Sequence, residues 1–307
     1  ASSFSETHDS QTLNEEAEKK IFALSERNET TKVHTMEDTI GTTIELIDQR
    51  YKNQNAFTGV PSGFDKLDTM TSGFQNSELI IIGARPPIGK TALALSMMEY
   101  ITINQHIPCG FFSLEMSYQS IGQRLLSQES NIPGLKLRSG MLKLSDFQRL
   151  QDAAGRCYKA PLFIVDTPNM KLIDLRAMAR RMVANHGVKI IFIDYIGLIT
   201  TEDPSAPVYE QVSEVTKSLK ALSRELDIPI VALCQVSREA EGEEPNLAQL
   251  RGSGSVEQDA DVVIFIHRDR NKEDPVQDAK LIVAKQRNGS TGKVDIAFVA
   301  ACTKYEN

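Results

Sequence analysis

Short apolar runs alternate with helical stretches along the chain from about Phe57 to its end. The runs carry few polar residues, a pattern typical of strands that are buried on both faces of a sheet. Because helical stretches separate them, we predict an α/β fold with a mostly parallel sheet flanked by helices. The predicted strands are 79–82, 110–113, 162–165, 189–193, 229–234, 262–266, 280–284 and 294–299.

A short amphipathic helix is predicted near the start of the chain. Thr12 and Glu15 form a capping-box pattern, and apolar residues from Leu13 to Leu24 share one helical face. An isolated helix of this length is marginal in water, so its apolar face must dock on another protein surface. The pattern leaves two alternatives open, which are docking on its own domain and docking on a neighbouring copy of the chain.

A second helix is predicted near 36–50. Thr35 and Asp38 repeat the capping pattern there, ahead of another apolar face. We therefore predict two regions: a polar tail with a helix and a hinge over 1–34, and the α/β domain over 35–307.

The composition limits the possible partners of the chain. Among its 307 residues 24% are charged, and the formal net charge is −7, which excludes nucleic-acid binding through bulk positive charge. The four cysteines are widely spaced and form no CxxC pair, as expected for reduced thiols in a cytoplasmic protein. The sequence has neither the pattern of a signal peptide nor an apolar run long enough to span a bilayer, so we expect no membrane partner.

The strongest local signal follows the predicted strand 79–82. A loop of small residues ends in Gly-Lys-Thr, and the next residues have a helical pattern. Such a strand–loop–helix unit binds phosphate through loop N–H groups and the positive end of the helix dipole. A lysine there reaches the β- and γ-phosphates, and a threonine hydroxyl can ligate Mg²⁺. The predicted nucleotide-binding residues are Ala84, Arg85, Pro86, Pro87, Ile88, Gly89, Lys90, Thr91 and Ala92.

This loop departs from the usual pattern at one position. Ala84 stands where a glycine is usual, and Gly83 lies one residue earlier. The alternative interpretation is a chance Gly-Pro turn before a helix. The strand before the loop and the helix after it favour the phosphate-binding interpretation.

Three polar residues follow other predicted strands. In an open parallel sheet the carboxyl ends of the strands face the ligand crevice. Asp194 there is a candidate for holding Mg²⁺ through water, and Glu115 is a candidate general base. Gln235 is a candidate contact to the γ-phosphate or its water. Taken singly, each also fits a structural role, such as capping the next turn or starting the next helix.

Two basic residues, Lys285 and Arg287, follow a late predicted strand. A guanidinium group stabilises the transition state of phosphoryl transfer, but the sequence does not say whether Arg287 would act on its own site or on a neighbour's. The triplet His-Arg-Asp at 267–269 resembles a kinase catalytic loop superficially. A kinase assignment is rejected, because the required asparagine and glycine-rich loop are missing.

Taken together, these segments resemble the ATPase domain of the DnaB-type bacterial replicative helicases, a RecA-like P-loop family. The matching pieces cover nearly all of residues 57–300 in the family order. They are GVPSGFDKLDTMTSGFQ, GARPPIGKTALAL, FFSLEM, IIFIDYIGL, LCQVSR, LRGSGSVEQDADVVIFIHRD and KQRNG. The segment LNEEAEKKIFALSE is similar to the family's linker helix, which docks on the adjacent subunit.

The resemblance implies a homo-hexameric ring that hydrolyses ATP to ADP at subunit interfaces. Lys90, Thr91 and Asp194 correspond to the family's phosphate and Mg²⁺ residues. Glu115 corresponds to its catalytic base, and Gln235 to its γ-phosphate sensor.

The resemblance also implies residues that act outside the subunit's own site. Lys285 and Arg287 match residues supplied to the neighbouring site, with Arg287 as the arginine finger. The loop of Arg251, Gly252, Ser253 and Gly254 matches the one that holds single-stranded DNA, although many members carry Glu in place of Gly252. The family's helical N-terminal collar domain, which recruits primase, is not among the matching segments, and a helicase loader is a further implied partner.

Two predicted loops bear on DNA binding. Two long loops, 200–208 and 237–259, are predicted after strand ends, and long loops are often functional. The second loop contains four glutamates between 239 and 244, which disfavour a phosphate backbone. Besides a DNA-unwinding motor, two alternatives remain: a recombinase-like ATPase that forms filaments, and a nucleotide-gated assembly module with negligible turnover.

Overall fold

The computed structural model describes residues 35–52, 57–85, 88–236, 244–250, 253–268 and 274–307. Phe57–Asn307 forms one compact unit. The preceding unit contains helix α1, Met36–Lys52. The predicted boundary between 34 and 35 stays a prediction.

Helix α1 begins as the capping pattern predicts. The Thr35 backbone N–H donates to Asp38 Oδ2 at 3.1 Å, and the Asp38 N–H donates to Thr35 Oγ1 at 3.1 Å. The two side chains thus satisfy N–H groups that the first helical turn leaves without partners. The helix predicted between Leu13 and Leu24 lies outside the described residues.

The compact unit contains nine strands among its described residues, with helices in between. Its helices are α2 Asp65–Thr71, α3 Lys90–Glu99, α4 Tyr118–Ser130, α5 Gly134–Ser139, α6 Leu144–Lys159, α7 Leu172–His186, α8 Val208–Leu226 and α9 Ser253–Asp259. A π-helical turn, Tyr100–Asn104, continues α3, and short 3₁₀ turns cover Ile196–Leu198 and Leu247–Gln249. Its strands are β1 Leu79–Ala84, β2 Cys109–Ser113, β3 Leu162–Val165, β4 Ile190–Asp194, β5 Ile230–Gln235, β6 Val262–Arg268, β7 Val276–Gln286, β8 Gly292–Val299 and β9 Lys304–Glu306.

The strands form one sheet in the order β3-β2-β4-β5-β1-β6-β7-β8-β9. The first six strands of this order pair in parallel, and β6 to β9 pair antiparallel. The predicted mostly parallel sheet is confirmed, and an antiparallel extension lies at one edge.

Both faces of the sheet are buried at its central parallel strands, which explains the unbroken apolar runs in their sequences. In β1, Ile80 and Ile82 pack in the cluster that also holds the apolar residues of α3. The alternate residues Leu79 and Ile81 pack with α7 and α8 on the opposite face. All four side chains are fully buried. Helices on both faces therefore hold the ends of the parallel strands in fixed positions.

The structure differs from the predictions in three places. Strand β9 was not predicted, because three residues carry too little pattern. Strand β7 begins at Val276, and Lys285 lies inside it instead of after it. The loop predicted over 237–259 is wrong in its second half, where the 3₁₀ turn Leu247–Gln249 and helix α9 form. The other predicted loop, 200–208, is irregular up to the start of α8 at Val208.

Candidate functional site

The carboxyl ends of the central parallel strands bring the predicted site residues together. Ala84 at the end of β1 is in register with Gln235 at the end of β5. Ser113 at the end of β2 is in register with Asp194 at the end of β4. Since all four strands run in the same direction, the segments that follow them meet at one end of the sheet, where the carboxyl ends of the strands lie.

Lys90 lies at the centre of a network of charged side chains. Its Nζ lies 2.6 Å from Asp194 Oδ1 and 3.3 Å from Glu115 Oε2. The Thr91 hydroxyl donates to Asp194 Oδ2 at 2.5 Å. The ammonium group also lies 4.3 Å from the ring centroid of Tyr195, a cation–π contact. The structure therefore brings Lys90, Thr91, Asp194 and Glu115 together, and their roles stay a prediction.

The two carboxylates differ strongly in exposure. The Asp194 side chain is 1% exposed and the Glu115 side chain 53%. Leu114 N–H donates to the Asp194 backbone carbonyl at 2.9 Å, and Ser113 Oγ donates to the Met116 carbonyl at 2.7 Å. These bonds hold the turn that carries Glu115. A buried carboxylate beside a hydroxyl suits a fixed ligand, whereas an exposed one can meet water.

The loop before Lys90 is held by contacts that are distant in sequence. The Ile88 carbonyl accepts from Tyr305 Oη at 2.7 Å and from Arg268 NH2 at 3.1 Å. Gly89 has a φ of 112°, a conformation that disfavours other residues, and a Cβ there would lie 3.3 Å from Tyr305 Oη. Burial raises the pKa of Tyr305 from 10 to about 12, and the hydroxyl is a donor at neutral pH at either value. Pro86 and Pro87 lie outside the described residues.

The donor set of this site fits a nucleotide with Mg²⁺. Oxygen ligands from Thr91 and Asp194 match the preference of Mg²⁺, which takes few protein ligands and completes its shell with phosphate and water. No group of three or more His, Cys, Asp or Glu residues in the described part of the chain could hold a metal ion. In the loop, Arg85 Nε and NH2 are buried and have no hydrogen-bond partner among the described residues, as expected of donors that face a ligand.

Arg124 on α4 is a candidate site residue that sequence reasoning missed. Burial lowers its pKa, and the nearby carboxylates of Asp194 and Glu115 act in the opposite direction. With Met116 and Arg138 it lines a cavity of about 580 Å³ beside the turn that carries Glu115. Its only sequence signal was an arginine in the helix after Glu115, which is common on helix surfaces.

Lys285 and Arg287 lie at the end of the sheet where the parallel strands begin, opposite the end that carries Lys90. Lys285 lies in β7 and Arg287 directly follows this strand. Strand β7 pairs with β6 so that Gln286 is in register with Val262, and Val262 is in register with Ile80 near the start of β1. The length of β1 separates this end from the Lys90 loop, about 16 Å along the strand direction. That span exceeds the reach of an arginine side chain, so Arg287 does not contact the Lys90 site of its own chain.

These two cations bind the carboxyl end of α9. Lys285 Nζ donates to the carbonyls of Glu257 and Ala260, and Arg287 NH2 donates to the Gln258 carbonyl at 2.9 Å. Cations are favourable there because the last carbonyls of a helix carry partial negative charge. Burial lowers the pKa of Lys285, and Arg287 lowers it further.

The predicted DNA loop is described only in part. Arg251 and Gly252 lie outside the described residues, and Ser253 and Gly254 begin helix α9. A Cβ at Gly254 would meet no atom of the described residues within 4 Å. The site therefore has three parts: the Lys90 loop, the distant cation pair, and the helix that joins the pair to the predicted DNA loop.

A lysine and a threonine that meet a strand-end aspartate at the mouth of a buried parallel sheet are the arrangement of the P-loop nucleoside triphosphatases. This chain is one of them by its fold and by its site. Residues 59–307 match the family model of the DnaB-like helicase C-terminal domain.

Known proteins agree with that match. The replicative DNA helicase DnaB of Treponema pallidum (strain Nichols) is 51% identical over 305 residues, which are 99% of this chain and 69% of that protein. A solved ATPase domain superposes with a TM-score of 0.82 at 30% identity, covering 90% of this chain and 99% of that one. A structure of a DnaB-like replicative helicase and its interactions with primase gives a TM-score of 0.79 at 28% identity, covering 95% of this chain and 71% of that one.

The chain therefore belongs to the DnaB-type replicative helicase family, and its function is that of the family's ATP-dependent motor. It spans about two thirds of the length of the curated relatives that it matches. In the described part of the chain, no helix combines the length and the apolar character that crossing a membrane requires.

Proposed function

We propose that this chain hydrolyses ATP at interfaces between its copies and couples hydrolysis to movement along single-stranded DNA, which separates a duplex. The main support for the proposal is that Lys90 and Arg287 lie at opposite ends of one sheet, one where the parallel strands end and the other where they begin. A catalytic constellation divided in this way becomes complete only when two subunits meet.

Binding of the triphosphate is assigned to the loop residues from Ala84 to Ala92. Lys90 neutralises charge on the β- and γ-phosphates, and Thr91 with Asp194 would hold Mg²⁺. When bound, Mg²⁺ neutralises phosphate charge and orients the triphosphate. The contact of 2.6 Å between Lys90 Nζ and Asp194 Oδ1 supports the assignment, because it places the phosphate-binding ammonium group and the proposed Mg²⁺-binding carboxylate side by side.

Glu115 is assigned the role of general base. Its exposed carboxylate follows a strand end and lies beside Lys90, where it can accept a proton from water that attacks the γ-phosphate. Gln235 is assigned the role of sensor. Its register with Ala84 supports contact with the γ-phosphate or the attacking water, and the segment leading to the DNA loop follows it.

Arg287 and Lys285 are assigned to the neighbouring subunit's site. The Arg287 side chain is 50% exposed, so its guanidinium group is accessible to a partner. An added guanidinium group stabilises the charge that develops during phosphoryl transfer. The assembly implied is head-to-tail, and a homo-hexameric ring is the closed form that the family resemblance favours.

Single-stranded DNA is assigned to the loop 251–254. With a net charge of −7, the chain must hold the DNA backbone through local groups, here Arg251 and backbone N–H groups near Gly254. A ring adds such weak contacts over its copies. We also propose that the linker helix near 13–24 docks on the adjacent subunit. The proposed partners are a primase and a helicase loader, and the proposed location is cytoplasmic.

The deciding experiment is the ATP hydrolysis rate with and without single-stranded DNA, measured over a range of protein concentrations with Mg²⁺ present. We expect stimulation by DNA and a rate per subunit that rises steeply with concentration, since sites form between subunits. Lys90→Ala should abolish turnover, and Lys217→Ala, at an exposed position on α8, is the matched control. Turnover that is indifferent to both DNA and concentration would contradict the proposal.

A further inference from the structure

Asp261 is a buried carboxylate to which none of the roles above is assigned. Its side chain is 5% exposed. It lies between α9 and β6, at the end of the sheet where the parallel strands begin, opposite the Lys90 loop. Its Oδ2 accepts from the Leu79 backbone N–H at 2.8 Å and from Lys220 Nζ at 2.6 Å. Three structural elements therefore meet at one side chain: the start of β1, helix α8, and the segment between α9 and β6.

The other oxygen of Asp261 binds Arg287. Arg287 NH1 donates to Asp261 Oδ1 at 3.2 Å, and the Arg287 backbone N–H donates to the Asp261 carbonyl at 2.8 Å. With the bond from Arg287 NH2 to the Gln258 carbonyl, the backbone and both ends of the guanidinium fork are fixed. A guanidinium group has further donors, so these bonds leave N–H groups for a phosphate.

A half-exposed arginine normally samples many rotamers, and ordering it at the moment of reaction costs entropy. Asp261 removes much of that freedom in advance. The carboxylate itself cannot swing, because Leu79 and Lys220 hold its second oxygen. The resulting orientation of the guanidinium group is set by the same residue that anchors the first residue of β1, the strand that ends at the nucleotide loop.

We propose that Asp261 is a positioning residue, which orients Arg287 for the ATP site of the neighbouring subunit. This inference rests on the proposed action of Arg287 across the interface. Asp261 lies at the opposite end of β1 from the nucleotide loop, so we assign it an action through Arg287. Its loss should therefore lower the rate of hydrolysis at the neighbour's site and leave nucleotide binding at its own site intact.

The test uses the full chain with Asp261→Asn, which preserves shape and removes the charge. We expect kcat to fall roughly 10- to 100-fold, the cost typical of a misplaced catalytic group, while KM for ATP stays within about twofold. A second assay mixes Asp261→Asn subunits with Lys90→Ala subunits. In a random equal mixture about a quarter of the head-to-tail junctions pair an intact nucleotide loop with an intact Arg287, so activity should return.

Asp146 provides a matched control. It is 2% exposed and accepts from a backbone N–H, a lysine and an arginine, namely Lys143, Lys136 and Arg149. Asp146→Asn should lower the melting temperature about as much as Asp261→Asn and leave kcat unchanged. If Asp261→Asn fails to fold, the double variant Lys220→Met/Asp261→Asn removes the stranded ammonium group and serves in the same assays.

Arg287→Ala distinguishes a failure of the proposed interface role of Arg287 from a failure of the proposed positioning role of Asp261. If its kcat does not fall, or if mixing with Lys90→Ala never restores activity, the proposed action of Arg287 across the interface is wrong. If Arg287→Ala behaves as expected but Asp261→Asn keeps or raises its kcat, the proposal for Asp261 alone is overturned. A kcat loss in Asp261→Asn that mixing does not restore also overturns it, because the defect would then lie in its own site.

Discussion

The ammonium group of Lys90 lies 2.6 Å from Asp194 Oδ1, although 104 positions separate the two residues in the chain. The same carboxylate accepts the Thr91 hydroxyl through its other oxygen at 2.5 Å. A nucleotide and Mg²⁺ must therefore compete with these internal contacts when they bind. A triphosphate that binds Lys90 leaves the Asp194 carboxylate without its cation, and Mg²⁺ at Asp194 leaves Lys90 without its carboxylate. Binding of the nucleotide and binding of Mg²⁺ should therefore depend on each other.

Asp194→Asn tests this dependence. The variant removes the charged oxygen that would hold Mg²⁺. Among the described residues it leaves Lys90 with only the exposed Glu115 as an anionic partner. We expect the Mg²⁺ concentration for half-maximal ATPase activity to rise at least about tenfold, in line with the loss of a metal ligand or its support. A Mg²⁺ titration at saturating ATP measures it, and an unchanged midpoint would remove Asp194 from the metal site.

Glu115→Gln separates binding from chemistry. The amide is nearly isosteric with the carboxylate but cannot accept a proton from water, so hydrolysis should fall roughly 10²- to 10⁴-fold. Affinity for a fluorescent ATP analogue should stay the same or increase, because Lys90 loses one internal partner at 3.3 Å. Glu115→Asp keeps the charge at a shorter reach and should be intermediate. Full activity in Glu115→Gln would favour a nucleotide-gated assembly module over a motor.

Tyr305→Phe tests the distant support of the nucleotide loop. The change removes the hydrogen bond of 2.7 Å to the Ile88 carbonyl and leaves Arg268 as the remaining donor there. We expect a loss of about 1 kcal/mol in the free energy of unfolding. KM for ATP should rise severalfold, because the loop conformation before Lys90 is less well fixed. Tyr209→Phe, which loses an exposed hydrogen bond to Glu210, is the control. Measured in the absence of DNA, it should change neither the free energy of unfolding nor KM for ATP.

Glu99 should make stability depend on pH. Burial raises the pKa of Glu99 from 4.5 to about 7, and neighbouring Glu129 contributes, although Lys304 Nζ lies 2.7 Å away and acts in the opposite direction. Between these two pH values the folded chain holds a proton that the unfolded chain releases, so the free energy of unfolding falls as pH rises. Glu99→Gln lacks this titration. Its melting temperature relative to the parent should therefore rise from pH 4.5 to pH 7.

A control for this pH effect has the opposite sign. A hydrogen bond from Arg180 lowers the pKa of Glu225, so its contribution to stability is present above the ordinary pKa and is lost as pH falls. In Glu225→Gln the melting temperature relative to the parent should rise only on the acid side. A parallel course for the two variants would mean that Glu99 does not titrate as described.

Much of the nucleotide site could be predicted from the sequence, because its residues follow strand ends. Once Lys90 was placed in a strand–loop–helix unit, the parallel sheet required Asp194 and Glu115 to lie at the same edge. Local pattern and topology were sufficient for that step. Arg124 could not be found in this way, since nothing in the pattern of α4 specifies which of its faces meets the carboxylates.

The supports of the site depend on contacts between distant parts of the chain. Tyr305 lies in a three-residue strand, and its bond to Ile88 joins positions 217 residues apart. The contact of Asp261 with Leu79 depends on the pairing of β1 with β6. Helix α9 forms in a segment with no regular apolar period, where contacts with α8, such as Thr216 Oγ1 to Asp259 at 3.1 Å, favour the helix over a loop.

The opposite placement of Lys90 and Arg287 affects how hydrolysis sites should be counted. Under the proposed arrangement each subunit has a nucleotide-binding face and an arginine-donating face, so a site belongs to a junction and not to a subunit. A closed assembly has as many complete junctions as subunits, whereas an open one leaves one nucleotide loop without a guanidinium partner. Opening the assembly would therefore inactivate one site selectively, and the fraction of ATP that is bound but not hydrolysed would report on closure.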